Sequence, residues 1–136
     1  MGRLFRDVTD GEIGVLNVLW EQEVATIRQL TDAIYSEGTP GQYATVQKHL
    51  ERLEARRYVI RNRSERTHLF RAAIGRDELI GWGLQELADG VCGGSVASLF
   101  AELVKPNRLS APQRESLRKL VAELDRQVKE AKERSP

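Results

Sequence analysis

Apolar residues along the first part of the chain recur at helical spacing in three blocks and then switch to a strand-like pattern. Thr9-Asp10-Gly11-Glu12 is a capping box, a hydroxyl N-cap with a glutamate three residues on. It opens a helix carrying Ile13, Leu16, Leu19 and Trp20 and ending near Glu23. Residues 24–27 are short and β-prone, the size of a minimal strand. Thr26-Ile27-Arg28-Gln29 is a second capping box, followed by a stripe of Ile27, Leu30 and Ile34, with Gly38 as the expected stop. Thr39-Pro40-Gly41 reads as a turn. A third helix is expected over about residues 42–56, with Val46, Leu50 and Leu53 on one face and Thr45, Lys48, His49 and Arg52 on the other. Residues 58–63 and 67–71 then read as two strands joined by Ser64-Glu65-Arg66, a β-hairpin. Helix, short strand, helix, helix, hairpin is the order of a winged helix-turn-helix, so the fold class is mainly α.

Three further helices are predicted. Residues 77–91 carry Ile80, Leu84, Leu87 and Val91 on one stripe. After Gly93-Gly94, Ser95 caps a short helix bearing Val96, Leu99, Phe100, Leu103 and Val104, which Pro106 ends. Ser110-Ala111-Pro112-Gln113 is another capping box, with proline in the first turn. Leu117, Leu120, Val121, Leu124 and Val128 follow, and the polar segment 129–136 is expected to fray. The first of these helices suits packing on the winged helix. The stripes of the other two find no partner in the remaining residues, which predicts pairing with a second copy through Val96, Leu99, Phe100, Leu103, Leu117, Leu120, Val121 and Leu124, joined by Leu84 and Leu87 of the first. The expected division is a winged helix over residues 1–74 and a helical dimerisation region over residues 75–136.

Net charge adds a position to this pattern. The chain totals +1, but residues 42–71 hold eight Arg or Lys against three Asp or Glu, a local +5, while residues 1–41 sum to −4. A basic excess confined to the third helix and the hairpin is what a face that meets a polyanion requires. A helix entering the major groove reads base edges mostly from its N-terminal residues, here Gln42, Tyr43, Ala44, Thr45, Gln47 and Lys48. Glutamine can pair with adenine, lysine can donate to guanine, and the Ala44 and Thr45 methyl groups suit thymine methyls. Arg52 suits a phosphate, and Arg61, Arg63 and Arg66 in the wing suit backbone or minor groove. Thr26 and Gln29 lie where backbone N–H groups meet a phosphate. The partners expected are therefore double-stranded operator DNA and a second copy of the chain.

These residues resemble the penicillinase-repressor (BlaI/MecI) family of bacterial repressors, which also has copper-responsive members. The resemblance lies in Thr9-x-x-Glu12 leading to Leu19-Trp20, and in Ala25-Thr26-Ile27-Arg28-Gln29-Leu30. It continues through Tyr43-Ala44-Thr45-Val46, Leu50-Glu51-Arg52-Leu53, Arg66 with Phe70-Arg71-Ala72, and Gly94-Ser95 leading to Leu109-Ser110. It implies a homodimeric repressor of a short pseudo-palindromic operator. In several relatives a membrane sensor metalloprotease triggers derepression by cleaving the repressor before a phenylalanine in the dimerisation region, and Leu99-Phe100 is the similar step here. The chain departs from the family at Ala44 and Lys48, where threonines are common, so the resemblance carries no operator sequence. It departs again at Arg57, where glycine is usual, and an arginine forced to positive φ there costs on the order of 1 kcal/mol. The paired-cysteine tail of copper-responsive relatives is absent, which argues against copper sensing.

Other chemistry finds little support. One cysteine, Cys92, gives no internal disulfide and reads as a small buried hydrophobe. His49 and His68 lack the paired acid or thiolate of a metal site, so no metal and no cofactor is expected. No nucleophile, base and oxyanion set is readable, so the chain is not expected to be an enzyme. No apolar run is long enough to span a bilayer and the first residues do not form a secretory signal, which leads to the expectation of a cytoplasmic protein without direct membrane association. Trp82 lies off the main stripe of its helix and suits the cover of a dimer seam. Two alternatives stay open on these residues: a winged-helix regulator that binds a small ligand at the dimer seam, and a winged helix that docks protein.

Overall fold

The computed structural model describes residues 3–5, 8–91, 93–95 and 97–134. In chain order these form strands β1 (Arg3–Phe5) and β2 (Val8–Thr9) and helices α1 (Asp10–Gln22), α2 (Ile27–Ile34) and α3 (Pro40–Ala55). Strands β3 (Val59–Asn62) and β4 (Leu69–Ala72) follow, then helices α4 (Arg76–Val91), α5 (Ala97–Leu103) and α6 (Ala111–Arg134). This is the expected winged helix-turn-helix followed by helices. The β1–β2 pair was not expected, because two or three residues are too few to show a period.

Helices α1, α2 and α3 converge on one core. Val15, Leu16 and Leu19 come from α1, Leu30 from α2, and Val46, Leu50 and Leu53 from α3. Val59 and Phe70 of the wing close it from below. Each fully buried leucine contributes on the order of 2 kcal/mol, so the relative placement of the three helices is fixed mainly by this cluster. The expected strand between α1 and α2 shrinks to one residue. Ala25 donates to Phe70 O at 3.0 Å and accepts from Phe70 N at 2.8 Å, which fastens the loop to the edge of β4. Strands β3 and β4 are antiparallel, with Val59 opposite Ala72 and Asn62 opposite Leu69.

Helix starts follow the capping chemistry. Thr9 and Glu12, Thr26 and Gln29, and Ser110 and Gln113 each exchange side-chain and backbone hydrogen bonds. The turn expected at Thr39-Pro40-Gly41 is itself a helix start: Thr39 and Gln42 form a further reciprocal box, and Pro40 occupies the first turn. Each such cap adds about 1 kcal/mol. Helix α2 ends at Tyr35 rather than at Gly38, which instead takes φ 63° in the loop before Thr39.

The end of α3 has a defined geometry. Tyr58 N donates to Leu53 O at 2.9 Å and Arg57 N donates to Glu54 O at 2.9 Å. This is a Schellman pair, and it holds Arg57 at φ 66°.

Helix α4 is used on two sides. Leu79 and Trp82 pack against the winged-helix core, and the Trp82 ring lies 5.8 Å from that of Tyr58. Trp82 thus packs on the head. The stripe singled out in the sequence, Ile80, Leu84 and Leu87, faces outward and is about half exposed. In α5 and α6, Phe100, Leu103, Leu120, Val121, Leu124 and Val128 are exposed, and Leu99 and Leu117 are half-buried. Leu103, Val104, Leu109, Leu117, Val121 and Ala122 line an open apolar groove between the end of α5 and α6. Val96 and Cys92 lie outside the described residues. The segment expected to fray stays helical to Arg134, with Arg126 paired to Glu130 at 2.5 Å and Lys132 and Arg134 in the last turn, where the helix dipole favours cations.

Candidate nucleic-acid interface

The core turns one face of α3 inward and leaves the other free. Ala44, Thr45, Gln47 and Lys48 line one shallow depression on that outer face together with Glu51. Tyr43 is exposed in the first turns of the same helix, outside that lining. The structure therefore brings together Ala44, Thr45, Gln47 and Lys48 of the residues expected to read bases, and places Tyr43 and Gln42 apart from them. Gln42 is half-buried, and its Oε1 accepts from Thr39 N at 2.9 Å, so its carbonyl is committed to the helix cap. The Thr45 hydroxyl donates to Gly41 O at 3.0 Å, so toward a base it acts as an acceptor beside a methyl group.

The same commitment applies at the start of α2. Thr26 N donates to Gln29 Oε1 at 2.8 Å, and Gln29 N to Thr26 Oγ1 at 3.1 Å. These two N–H groups serve the cap. The group available beside them is Arg28, exposed, with its guanidinium 5.9 Å from the centre of the Tyr43 ring. Sequence reasoning passed over Arg28. Its signal was its position inside the second capping box, on the first turn of the helix that precedes α3.

Arg52 is exposed in the last turn of α3. Arg66 is exposed at the hairpin tip. Arg63 is exposed and paired loosely with Glu54 at 3.3 Å. Arg61 is placed differently: it turns inward, pairs with Glu54 at 3.0 Å, and lies over the Phe70 ring at 4.8 Å.

A second cluster ties α3 to α1. Glu12 is buried; its Oε1 accepts from Thr9 N at 2.9 Å and its Oε2 pairs with Arg56. His49, expected on the outer face with Lys48, is half-buried and lies over Gly11. A side chain at Gly11 would overlap the imidazole in this position, so any other residue there requires the ring to shift. Burial holds the His49 pKa below its ordinary value; the Glu12 charge opposes that shift and the Arg52 charge adds to it. Among the described residues, no three His, Cys, Asp or Glu side chains are grouped to hold a metal ion, and no helix is long and apolar enough to cross a membrane.

Comparison with known proteins matches residues 8–123 to the penicillinase repressor family. Transcriptional regulator BlaI of Mycobacterium tuberculosis is 33% identical over 127 residues, spanning 92% of this chain and 89% of the relative. The same figures hold for its strains CDC 1551 / Oshkosh and ATCC 25618 / H37Rv. Among solved structures, a MarR mutant from E. coli complexed with operator DNA is 19% identical with a TM-score of 0.46, over 87% of this chain and 76% of that one. A ZitR mutant from Lactococcus lactis in complex with DNA is 18% identical with a TM-score of 0.44, over 94% of this chain and 82% of that one.

Proposed function

Because the chain belongs to the penicillinase repressor family of transcriptional regulators, we propose that it represses transcription as a homodimer that sets two winged-helix heads on one pseudo-palindromic operator. The observation that carries this reading is the outer face of α3. Tyr43, Ala44, Thr45, Gln47 and Lys48 are presented together to solvent, flanked by the exposed cations Arg28, Arg52, Arg63 and Arg66. In this reading Gln47 and Lys48 contact base edges, Ala44 and Thr45 meet thymine methyls, and the arginines contact phosphates.

The second copy covers the outward faces of α4, α5 and α6. Leu84, Leu87, Phe100, Leu103, Leu120, Val121 and Leu124 are too many exposed apolar side chains for a lone monomer, and they lie on successive helices. Derepression follows from loss of that seam. The partner for this step is a membrane sensor metalloprotease that cuts within the dimerisation region. The Leu99-Phe100 step lies in α5, a helix of only 7 residues with Phe100 exposed, so local opening there is easy. The heads would survive the cut but lose joint binding to two half-sites.

Sequences selected in vitro from a random duplex pool would give the operator. On that duplex, Lys48→Ala is expected to weaken specific binding about 10-fold or more while changing nonspecific binding much less. Equal losses on both would remove Lys48 from base reading. Leu120→Glu with Leu124→Glu is expected to yield monomers by light scattering; an unchanged dimer would refute the seam.

A further inference from the structure

Glu54 stands in the last turn of α3, where the reading helix meets the wing, and one carboxylate serves two wing arginines. Its Oε1 lies 3.0 Å from the Arg61 guanidinium as an ion pair, and its Oε2 accepts from Arg63 at 3.3 Å. Both arginines belong to the β3 side of the hairpin and, two residues apart, point to the same face. They are held very differently. The Arg61 side chain is 16% exposed, its guanidinium lies 4.8 Å from the Phe70 ring centre, and its Nε is buried without a hydrogen-bond partner. The Arg63 side chain is 61% exposed and its contact with Glu54 is the longer.

We propose that Glu54 is a positioning residue that keeps Arg61 as a fixed strut between α3 and the wing, and that releases Arg63 to a DNA phosphate when duplex is bound. The inference rests on the DNA-binding reading above. Removing Arg61 from its place would uncover both Glu54 and the face of Phe70, so this pair stays closed. Arg63 has an exposed pair of the kind that contributes little in water, and a phosphate outbids it because each neutralised phosphate also releases counterions. The carboxylate thus aims the wing in the free protein and opposes binding wherever Arg63 finds no phosphate.

The test uses the full chain and a fluorescein-labelled random duplex of about 30 base pairs, with anisotropy read between about 50 and 200 mM salt. Arg63→Gln is expected to reduce the slope of log affinity against log salt by about one. Arg61→Gln is expected to leave that slope unchanged and to lower the thermal midpoint. Glu54→Gln, which keeps an acceptor for Arg61, is expected to tighten binding about two- to five-fold, the range of an exposed pair. In that background Arg63→Gln should lose correspondingly more affinity than in the wild type, and Arg63→Lys should restore the slope. The inference is overturned if Arg61→Gln reduces the slope as Arg63→Gln does. It is also overturned if Arg63→Gln loses the same affinity with and without Glu54. Failure of the wild-type chain to bind any duplex at the lowest salt would instead refute the DNA-binding reading, and this inference with it.

Discussion

Replacing Arg57 with glycine should stabilise the protein. Arg57 is the residue just past the C-cap of α3 and is held at φ 66° by the two hydrogen bonds that join Leu53 and Glu54 to Tyr58 and to Arg57 itself. In this left-handed conformation an L-residue's Cβ crowds the following carbonyl, at a cost of about 1–2 kcal/mol. Glycine removes that crowding but loses more backbone freedom on folding, which returns roughly 0.5–1 kcal/mol. The net gain expected for Arg57→Gly is about 0.5–1 kcal/mol, or a rise in Tm of about 2–5 °C for a chain of this size. The substitution also deletes a charge from a basic segment, so Arg57→Ala is the necessary control. Alanine loses the same charge and keeps the Cβ, and it should change stability by no more than about 0.5 kcal/mol. Urea unfolding followed by circular dichroism, with protein concentration held equal across variants, measures both changes. If alanine stabilises as much as glycine, relief of charge repulsion is the cause and the conformational argument is wrong. If glycine destabilises, the arginine side chain makes a contact worth more than the strain.

Other consequences can be checked on the same footing. Gly11→Ala places a Cβ against the His49 ring and should destabilise the protein by about 1–3 kcal/mol, as overpacking does; an unchanged urea midpoint would mean that the imidazole simply moves aside. Glu12→Gln keeps the capping acceptor for Thr9 but removes the charge paired with Arg56, which is only partly buried; a loss of about 2 kcal/mol is expected, and a loss below about 0.5 kcal/mol would show that the cap alone matters. Because folding lowers the His49 pKa from 6.5, the unfolded chain binds the proton more readily. The stability contributed by neutral His49 is therefore full above pH 6.5 and falls as pH drops below it toward the folded value. His49→Gln should flatten that part of the pH profile, and an unaltered slope between about pH 7 and 5 would assign it to other groups.

The sequence made the helix starts legible because capping is local: Thr9, Thr26 and Ser110 each carry their partner three residues on. Thr39 carries its partner too, but Pro40-Gly41 read as a turn, although proline in a first turn is equally a helix signal. The helical period placed Val46, Leu50 and Leu53 in the core correctly. In α4 the period showed the outward stripe of Ile80, Leu84 and Leu87 and passed over Leu79, because a helix packed on one side and apolar on the other has two stripes and the strongest one need not face the core. At the candidate interface, the exposed side of α3 with Tyr43, Ala44, Thr45, Gln47 and Lys48 was legible as the side opposite the core stripe. The inward turn of Arg61 and the place of His49 over Gly11 were not, since both depend on neighbours distant in sequence. Arg57 is intermediate: resemblance flagged the residue, and only the backbone angle gave the reason.

Helix α4 gives the head and the proposed seam a common mechanical part. Its 16 residues span about 24 Å, with Leu79 and Trp82 seated on the head and Ile80, Leu84 and Leu87 on the opposite side. A rigid rod seated at both faces works as a lever arm. A tilt of about 10° over that length displaces one end by about 4 Å, slightly more than the 3.4 Å rise of one base pair. One base pair also corresponds to about 36° of rotation around the duplex, because a turn takes 10–10.5 base pairs. In the proposed dimer, a shift at the seam too small to disturb the core of the head would therefore be enough to put the second head out of phase with its groove.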